Sequence, residues 1–145
     1  MNSLYLMIFK LTRLYRTSNS LEKSDVEGFV KLLKTFFANI PFDLRRNVEK
    51  YENYYHTIFY VILRLLGMNV AAEYHMSEGS IDIVIKTDRY IYVIELKING
   101  SANDAMSQIE ARNYYLPFVG DSRRIVKLGI GFAEATHTID SYVIN

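Results

Sequence analysis

Two short apolar runs in this chain carry charged side chains where a core sheet should carry none. Gly79-Ser80-Ile81-Asp82-Ile83-Val84-Ile85 leads through Lys86 and the polar Thr87-Asp88-Arg89 into Tyr90-Ile91-Tyr92-Val93-Ile94-Glu95-Leu96-Lys97. Their Val, Ile and Tyr content marks both as strands, and the polar triplet marks a turn. A turn centred between Asp88 and Arg89 sets Lys86 opposite Ile91, Val84 opposite Val93 and Asp82 opposite Glu95. Opposed residues of an antiparallel pair share a face of the sheet, with Cβ atoms ~4.5–5.5 Å apart. Lys97, two residues beyond Glu95, projects from that same face.

Two opposed carboxylates repel, and burial raises the cost further. A divalent cation removes the conflict, because Mg²⁺ takes hard oxygen ligands at ~2.0–2.1 Å. A lysine beside the pair can orient a water or steady developing negative charge. Asp82, Glu95 and Lys97 thus have the chemistry of a metal-dependent hydrolytic site. Surface ion pairing at a solvated strand end is the plainer alternative, but the neighbours on both strands are Ile and Val.

With these residues in place, the chain resembles the PD-(D/E)xK nuclease superfamily, whose core signature looks like Asp82 with Glu95-Leu96-Lys97. The flanks resemble the nuclease-like domain that commonly follows an AAA-type ATPase domain in bacterial proteins. The matching residues are Tyr54-Tyr55-His56, Leu65-Leu66-Gly67, Glu73, Gly79 with Ile81-Asp82, Ala105 with Gln108-Ile109, and Gly129 with Phe132. They run in order from about Val26 to the C-terminus. The resemblance implies an α/β restriction-endonuclease-like core, a central mixed sheet flanked by helices. It also implies hydrolysis of phosphodiester bonds, in DNA, with Mg²⁺ or Mn²⁺ held by Asp82, Glu95 and the Leu96 carbonyl. By the same resemblance Glu52 and Glu73 are further metal-site residues, and Gln108 lies beside the catalytic carboxylate or the scissile phosphate. In one departure, Ser80 stands where such domains usually carry Arg.

The elements that must position these groups can be read from periodicity. Ser24 is the expected N-cap of a first helix whose apolar positions are Val26, Phe29, Val30, Leu33, Phe36 and Phe37, ending near Pro41. A second helix is expected from about Arg46 to Leu66, stopped by Gly67. Glu52 lies one turn before His56 on that helix, and as a plain helix residue it would be solvated. Met68–Met76 reads as a strand, with Glu73 inside it, and Ser77-Glu78-Gly79 as a hairpin turn. After Lys97, Asn99-Gly100-Ser101 is a loop and a helix is expected from about Ala102 to Leu116. Ile125–Phe132 is the next strand, and its Gly129 and Gly131 point to close approach by another backbone. Ile139–Ile144 would be a short edge strand.

Composition bounds the remaining classes. The 145 residues suit one globular domain over 21–145, with residues 1–20 an extension or the remnant of a preceding domain. No cysteine is present, so disulfides and thiolate zinc sites are excluded. His56, His75 and His137 have no zinc-like spacing. Met1–Tyr15 is too short and too charged to span a membrane and lacks the features of a signal peptide, so a cytoplasmic location is expected. A homo-oligomer is compatible with the chain and not required by it. The net charge of +1 is low for a DNA enzyme, and the basic residues fall in small clusters: Arg13 with Arg16, Arg45-Arg46, and Arg123-Arg124 with Lys127. A nuclease fold acting as a binding or docking module beside an ATPase partner is the competing reading. The chain itself has no Gly-x-x-x-x-Gly-Lys phosphate loop.

Overall fold

A computed structural model describes residues 3–39, 54–77 and 79–145. The chain divides into two compact units, Met1–Gly67 and Met68–Asn145. The first is helical, with α1 (Ser3–Ser18), α2 (Val26–Ala38) and α3 (Tyr54–Leu65). The second holds β1 (Asn69–Met76), β2 (Gly79–Lys86), β3 (Tyr90–Ile98), α4 (Ala102–Ala111), β4 (Arg124–Ala133) and β5 (Thr138–Ile144). No helix among the described residues is long and apolar enough to cross a membrane.

In the first unit the apolar stripe of α2 is buried as its period predicts, at Val26, Phe29, Val30, Leu33, Phe36 and Phe37. Its cap is Asp25 rather than Ser24: the Gly28 N–H donates to Asp25 Oδ1 at 3.0 Å. Ser24 instead takes a left-handed φ of 59° in the preceding turn. A carboxylate in the cap also complements the positive end of the helix dipole. Gly67 follows α3 at φ 83°, as expected of a residue that stops a helix. The expected start of that helix at Arg46, with Glu52, lies outside the described residues.

The second unit is a five-stranded mixed sheet in the order β1-β2-β3-β4-β5. Neighbours are antiparallel except β3 and β4, which run parallel. A parallel pair needs a crossover between its strands, and α4 supplies it. The class is α/β with a mixed sheet, as expected. The hairpin register also matches: Val84 pairs with Val93 and Lys86 with Ile91. It is closed by Thr87, whose N–H donates to the Tyr90 carbonyl at 2.9 Å and whose Oγ1 accepts from the Tyr90 N–H at 2.9 Å.

At Asp82 the regular ladder stops, so the expected opposed pairing of Asp82 with Glu95 is corrected: the register ends at Ile83 with Ile94. Beyond it, Asp82 Oδ2 accepts the Leu96 N–H at 2.9 Å, taking the place of a strand carbonyl. Ile81 and Val84 belong to one apolar cluster although three residues apart, so the two-residue alternation of β2 breaks at this level. Glu73 stands opposite, between Ala72 paired with Ile83 and Tyr74 paired with Ile81, and has φ 50°. A non-glycine residue in that region costs of order 1–3 kcal/mol and needs support from its surroundings.

The crossover helix starts as a capping box, with the Asp104 N–H donating to Ser101 Oγ at 3.0 Å. It ends five residues before the expected Leu116. Asn113 takes a φ of 52°, its N–H donates to the Glu110 carbonyl, and the Tyr114 N–H reaches back to the Ile109 carbonyl at 3.1 Å. These two bonds are a Schellman stop with asparagine in the left-handed position. Ile109 and Tyr114 complete it by packing in the same core cluster with Val84, Val93 and Phe118.

The glycines of β4 decide how close α4 lies. A Cβ on Gly129 would stand 2.6 Å from the Ala102 carbonyl oxygen and 2.9 Å from the Met106 nitrogen. One on Gly131 would stand 2.7 Å from the Gly100 carbonyl oxygen. The close approach expected from these glycines is present. Gly129 pairs with Glu95 and Gly131 with Lys97, so the helix is drawn down beside those two side chains.

Candidate active site

β3 delivers Glu95 and Lys97, β2 delivers Asp82, and the middle of α4 delivers Gln108. Glu95 is 4% exposed, a buried carboxylate on a central strand. Gln108 Nε2 donates to Glu95 Oε1 at 2.5 Å and to the Tyr114 hydroxyl at 3.0 Å. Lys97 Nζ donates to Gln108 Oε1. An ammonium can only donate, so the amide must turn its oxygen to Lys97 and its NH₂ to Glu95, and the three contacts are mutually consistent. Gln108 therefore links the buried carboxylate to the lysine and holds both side chains in place.

Tyr114 extends this network and was not anticipated. A helix continuing to Leu116 would set residue 114 about 240° around the axis from residue 108, facing away. The stop at Asn113 folds the chain back and brings the phenol to the amide. Burial raises the Tyr114 pKa above 10.0, and the negative charges of Glu95 and Asp82 add to it, against the Gln108 hydrogen bond and the Arg112 cation. A folded-state pKa above the unfolded one favours the neutral phenol: its contribution to stability is present below pH 10 and is lost as pH rises through the folded value. Tyr114→Phe should cost about 0.5–1.5 kcal/mol at neutral pH. It should also lose less stability than wild type above pH 10, which melting curves across that range would show.

The remaining sequence candidates are Glu52 and Glu73. Among the described residues no three His, Cys, Asp or Glu side chains converge as a metal-ligand set. Glu73 is exposed, and the two carboxylates on β2 and β3 are Asp82 and Glu95, the latter directly followed by Leu96. Glu52 lies outside the described residues. Two carboxylates still fit the hard, partly hydrated coordination of Mg²⁺, which is commonly held by one or two carboxylates while keeping several waters. The basic cluster near residue 124 is largely committed elsewhere. Arg123 pairs with Asp121 at 2.9 Å and donates to the Thr87 carbonyl, and Lys127 pairs with Glu110 at 3.0 Å.

A strand Asp, a Glu-x-Lys on the adjacent strand and a crossover helix are thus brought together on one mixed α/β sheet. The family model of the PD-(D/E)XK nuclease superfamily matches residues 50–142, and the chain belongs to that superfamily. It is also 30% identical over 125 residues to an "Uncharacterized protein in vnfD 5'region" of Azotobacter chroococcum mcd 1. That match covers 83% of this chain and 24% of the relative, so the chain spans about a quarter of the relative's length.

Proposed function

We propose that this domain is a divalent-metal-dependent nuclease that hydrolyses phosphodiester bonds in DNA. The observation that carries the reading is the linked set Glu95–Gln108–Lys97, with Asp82 held on the adjacent Leu96 N–H. Asp82 and Glu95 would hold Mg²⁺ or Mn²⁺, and the Leu96 carbonyl would be a further ligand. When bound there, the metal supplies Lewis-acid polarisation of a phosphoryl oxygen. Lys97 orients the attacking water and stabilises negative charge on the phosphoryl group as it builds. Gln108 fixes the lysine and the buried carboxylate relative to each other, so that little reorganisation remains at the moment of reaction.

A thermal titration with metal, run beside a cleavage assay on plasmid, single-stranded and branched DNA, tests the reading. A ligand bound only by the folded state stabilises by about 2.7 kcal/mol at a hundred times its Kd. Mn²⁺ should therefore raise Tm, and Asp82→Asn should abolish the rise while leaving metal-free Tm equal or higher. The asparagine oxygen can still accept the Leu96 N–H, so the strand geometry survives. A full Mn²⁺ response in Asp82→Asn would overturn the shared site.

A second reading, a nuclease-fold module that works joined to or beside an AAA-type ATPase, is favoured by the net charge of +1 and by Ser80 beside the site. It predicts metal stabilisation without cleavage by this domain alone.

A further inference from the structure

Among the described residues the network joins Asp82 and Glu95 to the cation Lys97, whose ammonium donates to Gln108. A phosphodiester substrate is itself anionic and must be drawn to two carboxylates. The residue placed to do this is Arg112, at the end of α4. A Cβ on Gly79 would lie 3.2 Å from Arg112 Nη1 and 4.0 Å from the Tyr114 hydroxyl. The guanidinium and the phenol therefore meet at the start of β2, three residues before Asp82. Tyr114 is one hydrogen bond from Gln108, and Gln108 is one from both Glu95 and Lys97.

We propose that Arg112 is the phosphate-binding cation of this site, gripping the nucleic-acid backbone next to the bond held by Asp82, Glu95 and Lys97. The assignment rests on the nuclease reading and deepens it. Arg112 is solvent-exposed, so it can reach a phosphate without first being desolvated. Its planar fork of donors matches two phosphate oxygens at once. Its backbone is fixed as the C-cap of α4, where the Arg112 N–H donates to the Gln108 carbonyl at 3.0 Å. The same short helix that supplies Gln108 to the carboxylates thus presents Arg112 to the substrate. Gly79 leaves the needed room, because it has no side chain and adopts φ 142°, where a larger residue would be strained.

Binding of a fluorescent DNA duplex, with Ca²⁺ in place of Mg²⁺ and across a salt series, tests the assignment. Arg112→Ala should weaken binding by about 3–10-fold at low salt, equally for unrelated sequences, and reduce the salt slope by about one. Arg112→Lys should recover the slope and part of the affinity. Ser80→Arg in the Arg112→Ala background should restore both, since it returns a cation next to Gly79. Arg112→Lys should keep the wild-type Tm, so that its recovered binding reports on the cation and not on folding. Wild-type affinity and slope in Arg112→Ala would overturn the role of Arg112 alone, if the wild type binds and cleaves. A fall in Tm that Arg112→Lys does not repair would overturn it in favour of a structural ion pair. A wild type that neither binds DNA nor cleaves it would remove the nuclease reading and this inference together.

Discussion

Lys97→Ala should lower phosphodiester cleavage by about 10²–10³-fold, the usual effect of losing one preorganised electrostatic contact to the transition state. Neither proposed metal carboxylate is touched, so the Mn²⁺-induced rise in Tm should stay at its wild-type size. Single-turnover rates at saturating DNA would isolate the chemical step, with kcat and kcat/KM falling together. The substitution also removes the donor to Gln108 Oε1. Gln108→Leu is therefore the companion measurement, since it leaves the ammonium in place but unanchored, and a smaller loss is expected. Equal cleavage by wild type and Lys97→Ala would assign the activity to another site or to a contaminant.

Gly129→Ala should be the most damaging small substitution in the second unit. Its methyl would meet the Ala102 carbonyl oxygen at 2.6 Å and the Met106 nitrogen at 2.9 Å, both backbone atoms of the α4 region. Backbone cannot swing aside as a side-chain tip can, so the helix must lift from β4. Overpacking of this kind costs about 1–3 kcal/mol. At roughly 2–8 °C per kcal/mol for domains of this size range, Tm should fall by about 5–15 °C. Because Gly129 pairs with Glu95, the lift would also carry Gln108 away from the carboxylate, and cleavage at low temperature should fall even in folded protein. Gly120→Ala is the control: nothing lies within 4 Å of its added methyl, and Tm should hold or rise slightly. An unchanged Tm in Gly129→Ala would mean that α4 does not need this contact.

Several features of the site could be read from residue type and spacing because they depend on local rules. The hairpin register followed from Thr87-Asp88-Arg89, since a short turn leaves its strands little freedom to slip. The parallel pairing of β3 and β4 followed from the helix between them, and the narrow approach at Gly129 and Gly131 from two glycines in an otherwise apolar strand. Periodicity likewise identified the buried face of α2. It misplaced the cap by one residue, because Ser24 and Asp25 are both good capping residues and the backbone of the preceding turn chose between them.

What the sequence determined by itself is the superfamily, the mixed α/β sheet, and the presence of Asp82, Glu95, Lys97 and Gln108 near one another. Those depend on strand alternation, turn chemistry and a motif order that is carried in the primary chain. Only the tertiary structure decided how these groups are joined. Asp82 leaves the ladder to hold the Leu96 N–H because strand alternation breaks opposite Glu73, an event no two-residue period foresees. Tyr114 reaches Gln108 because Asn113 adopts a left-handed conformation and ends α4 early. That stop is stabilised by packing of Ile109 and Tyr114 into the core, contacts that exist only once helix and sheet have come together.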